Sequence, residues 1–99
     1  MEREEIFSKL NEIFEEILDL EETPNLSDST TGNDIDEWDS LSQIQLIVAI
    51  EKQFNIKFNS KEIIEWKNVG DMVDSIISKW LHILRVMSLA GAFFMFLYP

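Results

Sequence analysis

Apolar residues recur over the first twenty positions as Ile6, Phe7, Leu10, Ile13, Phe14, Ile17 and Leu18. Spaced three and four apart, they lie along one side of a helix over residues 2–20. Glu2, Glu4 and Glu5 sit at its start, where the helix dipole favours negative charge. The periodicity stops at Glu21. From there to Trp38 the chain holds Pro24, Gly32 and the run NLSDSTTGND, the composition of a loop. Loops longer than about 12–15 residues are uncommon unless functional or anchored. Leu26, Ile35 and Trp38 are the anchors expected to pin this one over the helices.

A second helix is predicted from Ser40 to Phe54, and a short third one through Trp66 behind the capping-box spacing of Asn59 and Glu62. Asn68 is placed to cap a last helix, in which Met72, Val73, Ile76, Ile77, Trp80 and Leu81 form one core-facing stripe. No strand pattern and no repeat interrupts this order. The expected fold is all-α, a small helical bundle with a long first loop.

The second helix is apolar on two sides. At 100° per residue, Leu46, Ile47, Ile50 and Phe54 share one arc, with Gln43 among them. Leu41, Ile44 and Val48 share the other, with Ser42, Gln45, Glu51 and Lys52 around that half. A helix buried all round would not interleave so many polar residues, so the second arc is expected to stay partly exposed, as partner surfaces do. Ser40 stands beside it. Ser40 and Gln43 have the spacing of a capping box, and a serine before an apolar run is most often a cap. Spacing alone does not separate a cap from a chemical role.

Composition narrows the classes. The 99 residues carry 19 Asp and Glu against 8 Lys and Arg, a formal charge of −11. Nucleic-acid binding needs clustered cations, so it is not expected here. Hydrophobic residues at 45% supply one core, and the absence of cysteine removes disulfides, zinc thiolates and a thiol nucleophile. The acidic, polar start MEREEIFSKL lacks the form of a signal peptide, so a cytoplasmic location is expected. A serine hydrolase would need a base and a nucleophile elbow; His82 is the one histidine, and no Gly-x-Ser-x-Gly occurs. From Asp28 to Asp39 four Asp fall within 12 positions, but Asn33 stands where a calcium loop needs glycine and Asp39 where it needs glutamate. A solvated acidic loop is the better reading, and no metal site is expected.

Asp39-Ser40-Leu41, followed by Ile44, Leu46, Ile50, Glu51 and Phe54, resembles the motif helix of the acyl carrier proteins. The resemblance extends over roughly residues 3–80. It implies an antiparallel four-helix bundle of acyl carrier type, non-enzymatic, with phosphopantetheine attached covalently to Ser40 and Asp39 and Leu41 as the motif flank. It further implies docking of partners on Leu41, Ile44, Gln45, Val48 and Glu51. The partners implied are a phosphopantetheinyl transferase and acyl-activating and acyl-transferring enzymes. A phosphodiester on Ser40 would lie at a helix N-terminus, where anions are favoured. Ser42, Gln43 and Gln45 stand where many carriers have acids, and Glu37-Trp38 precedes the motif where many have a glycine. A specialised lipid or secondary-metabolite pathway is therefore expected in place of housekeeping fatty-acid synthesis. Trp66 and Met72 are bulky for positions that flank the acyl chain, which points to a short or polar acyl or aminoacyl cargo; the alternative for Trp66 is an outward lid. The competing class is a helical adaptor that binds partners through Leu41, Ile44 and Val48 with no prosthetic group.

Residues 1–80 form the expected carrier domain and 81–99 an apolar C-terminal extension. Leu81 to Pro99 is 19 residues, about 28 Å as a helix against a bilayer core of about 30 Å. Three readings compete: a membrane anchor, a self-associating or core-covering segment, and a non-native extension. Packing against protein is slightly favoured over membrane contact.

Overall fold

A computed structural model describes residues 2–82. The extension from 83 onward, with Arg85, Gly91 and the phenylalanines of the expected membrane-or-packing segment, lies outside the described residues. Four α-helices make an antiparallel bundle: α1 Arg3–Ile17, α2 Ser40–Phe54, α3 Ser60–Glu65 and α4, which runs from 69 to 82 within the described residues. No strand occurs among the described residues.

Each boundary has a local cause. Helix α1 stops at Ile17, earlier than its periodicity suggests, because Leu18 caps it and Asp19 turns into the left-handed region at φ 52°. Helix α2 ends the same way at Asn55, φ 54°, a residue type that tolerates this conformation. Helix α3 opens on the expected box: Asn59 Oδ1 accepts from the Glu62 N–H at 2.8 Å, and Glu62 Oε1 accepts from the Asn59 N–H at 3.1 Å. Asn68 caps α4, accepting from the Asp71 N–H at 2.8 Å.

The core joins α1, α2 and α4. Ile6, Leu10 and Phe14 from α1 meet Leu46, Ile50 and Phe54 from α2 and Val69, Val73 and Ile76 from α4, all essentially without solvent contact. The long loop is pinned as expected: Leu26 is buried, and Ile35 and Trp38 pack against the core. The Trp38 ring meets Phe14 edge-on at 4.9 Å. The loop also contains a single 3-10 turn, Gly32–Asp34, capped reciprocally by Thr31 and Asp34.

Two seams tie the loop to α4. The Val69 N–H donates to the Thr30 carbonyl at 2.8 Å and the Gly70 N–H to the Asp28 carbonyl at 3.0 Å. Arg3 reaches across from α1 to pair with Asp28 and Asp74. A Cβ on Gly70 would stand 2.7 Å from the Asp28 carbonyl oxygen, so only glycine permits this approach.

Two facial assignments need correction. Leu81 does not face the core; it is 63% exposed near the last described residue of α4. Ile47 is half-buried and takes no part in the core cluster, because α2 turns that flank toward the edge of its packing interface.

Candidate functional site

The start of α2 is built by Asp39. Its backbone is extended (φ −119°, ψ −172°), and its Oδ1 accepts from the Ser42 N–H at 2.9 Å. The Ser42 hydroxyl oxygen accepts from the Asp39 N–H at 2.8 Å and lies within donating distance of the Asp39 and Glu37 carbonyls, at 3.1 and 3.2 Å. Asp39 and Ser42 are the capping box. The expected pairing of Ser40 with Gln43 is therefore wrong by one residue: Ser40 is the first helical residue, and Gln43 accepts instead from the Trp38 indole N–H at 2.6 Å. Ser42 likewise leaves the exposed half of the helix, where its position on the wheel put it, because its hydroxyl is drawn into the cap; it is 8% exposed.

This shift isolates Ser40. Its side chain is exposed, and no hydrogen bond engages its hydroxyl among the described residues. The helix start is satisfied without it. The Asp39 carboxyl is held below its ordinary value of 3.8, chiefly by the Ser42 N–H, then by the Ser42 hydroxyl and the Leu41 N–H. A fixed negative charge thus occupies the anion-favouring niche of the helix end. An anion borne by Ser40 would be turned outward by that charge, which suits a group that must project from the surface.

The second arc of α2 is exposed as expected: Leu41 is 67%, Ile44 62% and Val48 45% exposed. Gln45 and Lys52 are exposed among them. Glu51 differs. It is half-buried, and its Oε2 accepts from the Phe58 N–H at 2.9 Å, which holds the turn into α3. Ile64 on α3, 81% exposed, adds an apolar residue that the sequence reading passed over; its place in a six-residue helix too short for periodicity left no signal. His82 is exposed at the last described position of α4.

Trp66 is neither loose nor fully sunk. It is half-buried, its indole N–H donates to Ser75 Oγ on α4 at 2.8 Å, and its ring meets Phe58 edge-on at 4.8 Å. These ties do not fit an outward lid. Met72 is fully buried beneath it. Between the loop, the first turns of α2 and the α3–α4 junction lies a half-open cavity of about 100 Å³, with Trp38, Ile63, Trp66 and Met72 as its apolar walls. Among the described residues no helix is long and apolar enough to cross a membrane.

Comparison with known proteins agrees with this geometry. Residues 8–76 match the family described as a phosphopantetheine attachment site. The chain is 35% identical over 78 residues to the acyl carrier protein of Coprothermobacter proteolyticus, covering 79% of this chain and 94% of that relative. It is 37% identical over 76 residues to the acyl carrier protein of Borreliella burgdorferi, covering 77% and 94%. Among solved structures, a holo acyl carrier protein from Geobacter metallireducens superposes with a TM-score of 0.74 at 39% identity, covering 80% of this chain and 90% of that one. The chain therefore belongs to the acyl carrier protein family, whose members are not enzymes but carriers of acyl groups on covalently attached phosphopantetheine.

Proposed function

We propose that Ser40 is the attachment point of the arm, and that the protein presents a thioester-bound acyl group to partner enzymes in a specialised pathway. The observation that carries this reading is the freedom of the Ser40 hydroxyl at a helix start capped entirely by Asp39 and Ser42. A structural serine would be engaged there; this one is exposed and spare. The arm, once bound, supplies the thiol that holds the acyl group. The chain's own part is to present Ser40 on a rigid turn, with Asp39 and Leu41 flanking it for the transferase.

Acyl-activating and acyl-transferring enzymes would dock on Leu41, Ile44 and Val48, with Gln45 at the rim. Glu51 has a structural duty and contributes less than its position suggests. A face of three exposed apolar residues flanked by Gln45 and Lys52 offers partners hydrophobic contact and few carboxylates, which supports a role outside housekeeping fatty-acid synthesis. Residues 1–80 form the carrier unit in this reading. The apolar run of 81–99 favours self-association over membrane contact, since the acidic body is repelled by anionic lipid. An adaptor would use the same apolar face but would have no need of the Ser40 hydroxyl.

The test is intact-protein mass spectrometry after incubation with coenzyme A and a broad-range phosphopantetheinyl transferase. One phosphopantetheine mass increment, absent from Ser40→Ala, is the expected result; an unmodified wild-type chain favours the adaptor.

A further inference from the structure

Charge is divided unevenly along the chain, and the division falls on the docking face. From Ser40 to Lys61 there is one carboxylate, Glu51, against three lysines, Lys52, Lys57 and Lys61. That stretch is formally +2 in a chain of −11. All three lysines are exposed, and none forms an ion pair among the described residues. Glu51 is half-buried with Oε2 on the Phe58 N–H, so its carboxylate is drawn into the turn. Helix stability accounts for only one of the three cations. Lys52 lies in the last turn of α2, where the dipole favours positive charge. Lys57 lies past the left-handed cap Asn55, outside any helix, and Lys61 sits in the first turn of α3, where the dipole disfavours it.

Two of these lysines share a groove. Val48, Glu51, Lys52, Asn55, Ile56 and Lys57 line an open depression of about 420 Å³ at the foot of α2. Val48, 45% exposed, is both a wall of this groove and the last apolar residue of the Leu41–Ile44–Val48 arc. Lys52 lies one turn beyond it on the same side of the helix. Lys52 also borders a second groove against α1, where Glu16 is the carboxylate of the lining; the two are not ion-paired. The other end of the arc has the opposite sign, because Glu37 and Asp39 are exposed beside Ser40. The face therefore runs from negative charge at Ser40, across apolar side chains, to positive charge about 18 Å further along the helix.

Resting on the docking of partners along α2, we propose that the groove at the foot of α2 receives carboxylates of the partner enzyme, which pair with Lys52 and Lys57. The partner's patch is thus acidic here, the opposite of what the net charge of the chain invites. Its apolar ridge lies on Leu41, Ile44 and Val48, and its carboxylates meet the two ammoniums. A lysine-rich patch would be repelled at this point, so the groove selects against enzymes that read an acidic helix. The reversal of sign along the face also fixes which way round a partner lies.

The experiment uses the full chain and two amphipathic helical peptides, alike in a leucine face and differing only in glutamate or lysine along its flanks. Fluorescence anisotropy measures binding, and carbodiimide coupling followed by mass spectrometry maps the contacts. The glutamate peptide should couple to Lys52 and Lys57 ahead of Lys67, which is also exposed. Lys52→Gln with Lys57→Gln, at two exposed positions, should keep the circular dichroism of the native chain and weaken that peptide about fivefold. Lys57→Gln alone, outside any helix, should weaken it by a smaller factor. Val48→Ser should weaken it as well. The lysine peptide should couple to carboxylates elsewhere and leave Glu51 unmodified. No binding of the glutamate peptide, coupling spread evenly over Lys52, Lys57 and Lys67, or an affinity indifferent to the glutamine variants overturns the inference. If Val48→Ser still weakens binding in that case, the docking face stands without the polarity assigned to it. If Val48→Ser has no effect either, the docking reading falls with the inference.

Discussion

Two serines two residues apart, Ser40 and Ser42, should respond to alanine in opposite ways. The Ser42 hydroxyl is 8% exposed, accepts from the Asp39 N–H at 2.8 Å and lies 3.2 Å from the Glu37 carbonyl. Ser42→Ala strands both groups at a part-buried helix start, while the other half of the box, Asp39 to the Ser42 N–H, survives. Loss of a cap costs about 0.5–2 kcal/mol, and a fully buried polar group left unsatisfied costs about 1–3 kcal/mol. Half a cap sets the expectation near 1 kcal/mol, or a fall of about 4–8 °C in Tm for a domain of this size. Ser40→Ala removes an exposed hydroxyl with no partner and places a good helix former in the first turn. Its effect should stay within about 0.5 kcal/mol. The assay pairs thermal melts by circular dichroism with intact mass after incubation with coenzyme A and the transferase. Ser42→Ala should melt early and still gain the arm; Ser40→Ala should melt like the native chain and gain nothing. If Ser40→Ala melts lower than Ser42→Ala, the cap has been assigned to the wrong residue and the Ser40 hydroxyl is not spare.

Further outcomes are fixed by other details. Because the Asp39 pKa is depressed on folding, its contribution is fully present above the ordinary value of 3.8 and is lost as pH falls through the lower folded value. Asp39→Asn keeps a capping side chain but removes this titration, so in acid melts it should lose less stability than the native chain below about pH 4; an identical acid profile would contradict the cause assigned. Gly70→Ala gains up to about 1 kcal/mol in helix propensity but drives a Cβ to 2.7 Å from the Asp28 carbonyl, so a net loss of about 1–3 kcal/mol is expected in urea melts. Val48→Asp, on the exposed arc, should change Tm little and weaken transfer by a partner enzyme, whereas Ile50→Asp places a charge in a wholly buried position and should abolish the fold; equal losses of stability would reverse the faces of α2. Truncation after Leu81 should leave a monomer that still accepts the arm, where the full chain self-associates by light scattering; a full chain recovered only from membranes would make the extension an anchor.

Local signals were enough for much of the fold. The ends of α2, the Asn59–Glu62 box, the Asn68 cap and the anchoring of Leu26, Ile35 and Trp38 all follow from periodicity, turn residues and isolated apolar positions in a polar run. The cap of α2 was misread by one position because Asp-Ser-Leu-Ser offers two overlapping boxes, and only the extended backbone of Asp39 chooses between them. The Thr31–Asp34 turn carried the same spacing as a capping box but had no apolar run behind it to draw attention. Leu81 continues the stripe of α4 in sequence yet is exposed, and periodicity cannot say how far along a helix its neighbours cover it. For the cavity, the identity of Trp66 indicated crowding, but its hold on Ser75 and Phe58 joins three separate segments and has no local signature.

The seam between the loop and α4 has a consequence for motion. The amides of Val69 and Gly70 are the ones a helix start normally leaves to water, yet here they are held by carbonyls about forty residues earlier in the chain. They can exchange with solvent only when the middle of the loop lifts away, so their protection reports the opening of the loop and not the fraying of a helix end. Thr31 and Gly32 follow the Thr30 carbonyl directly, and Lys67 and Asn68 precede the Val69 amide. Two opposing rims of the cavity are therefore stitched at one point. Hydrogen exchange at residues 69 and 70 becomes a clock for how often that mouth parts.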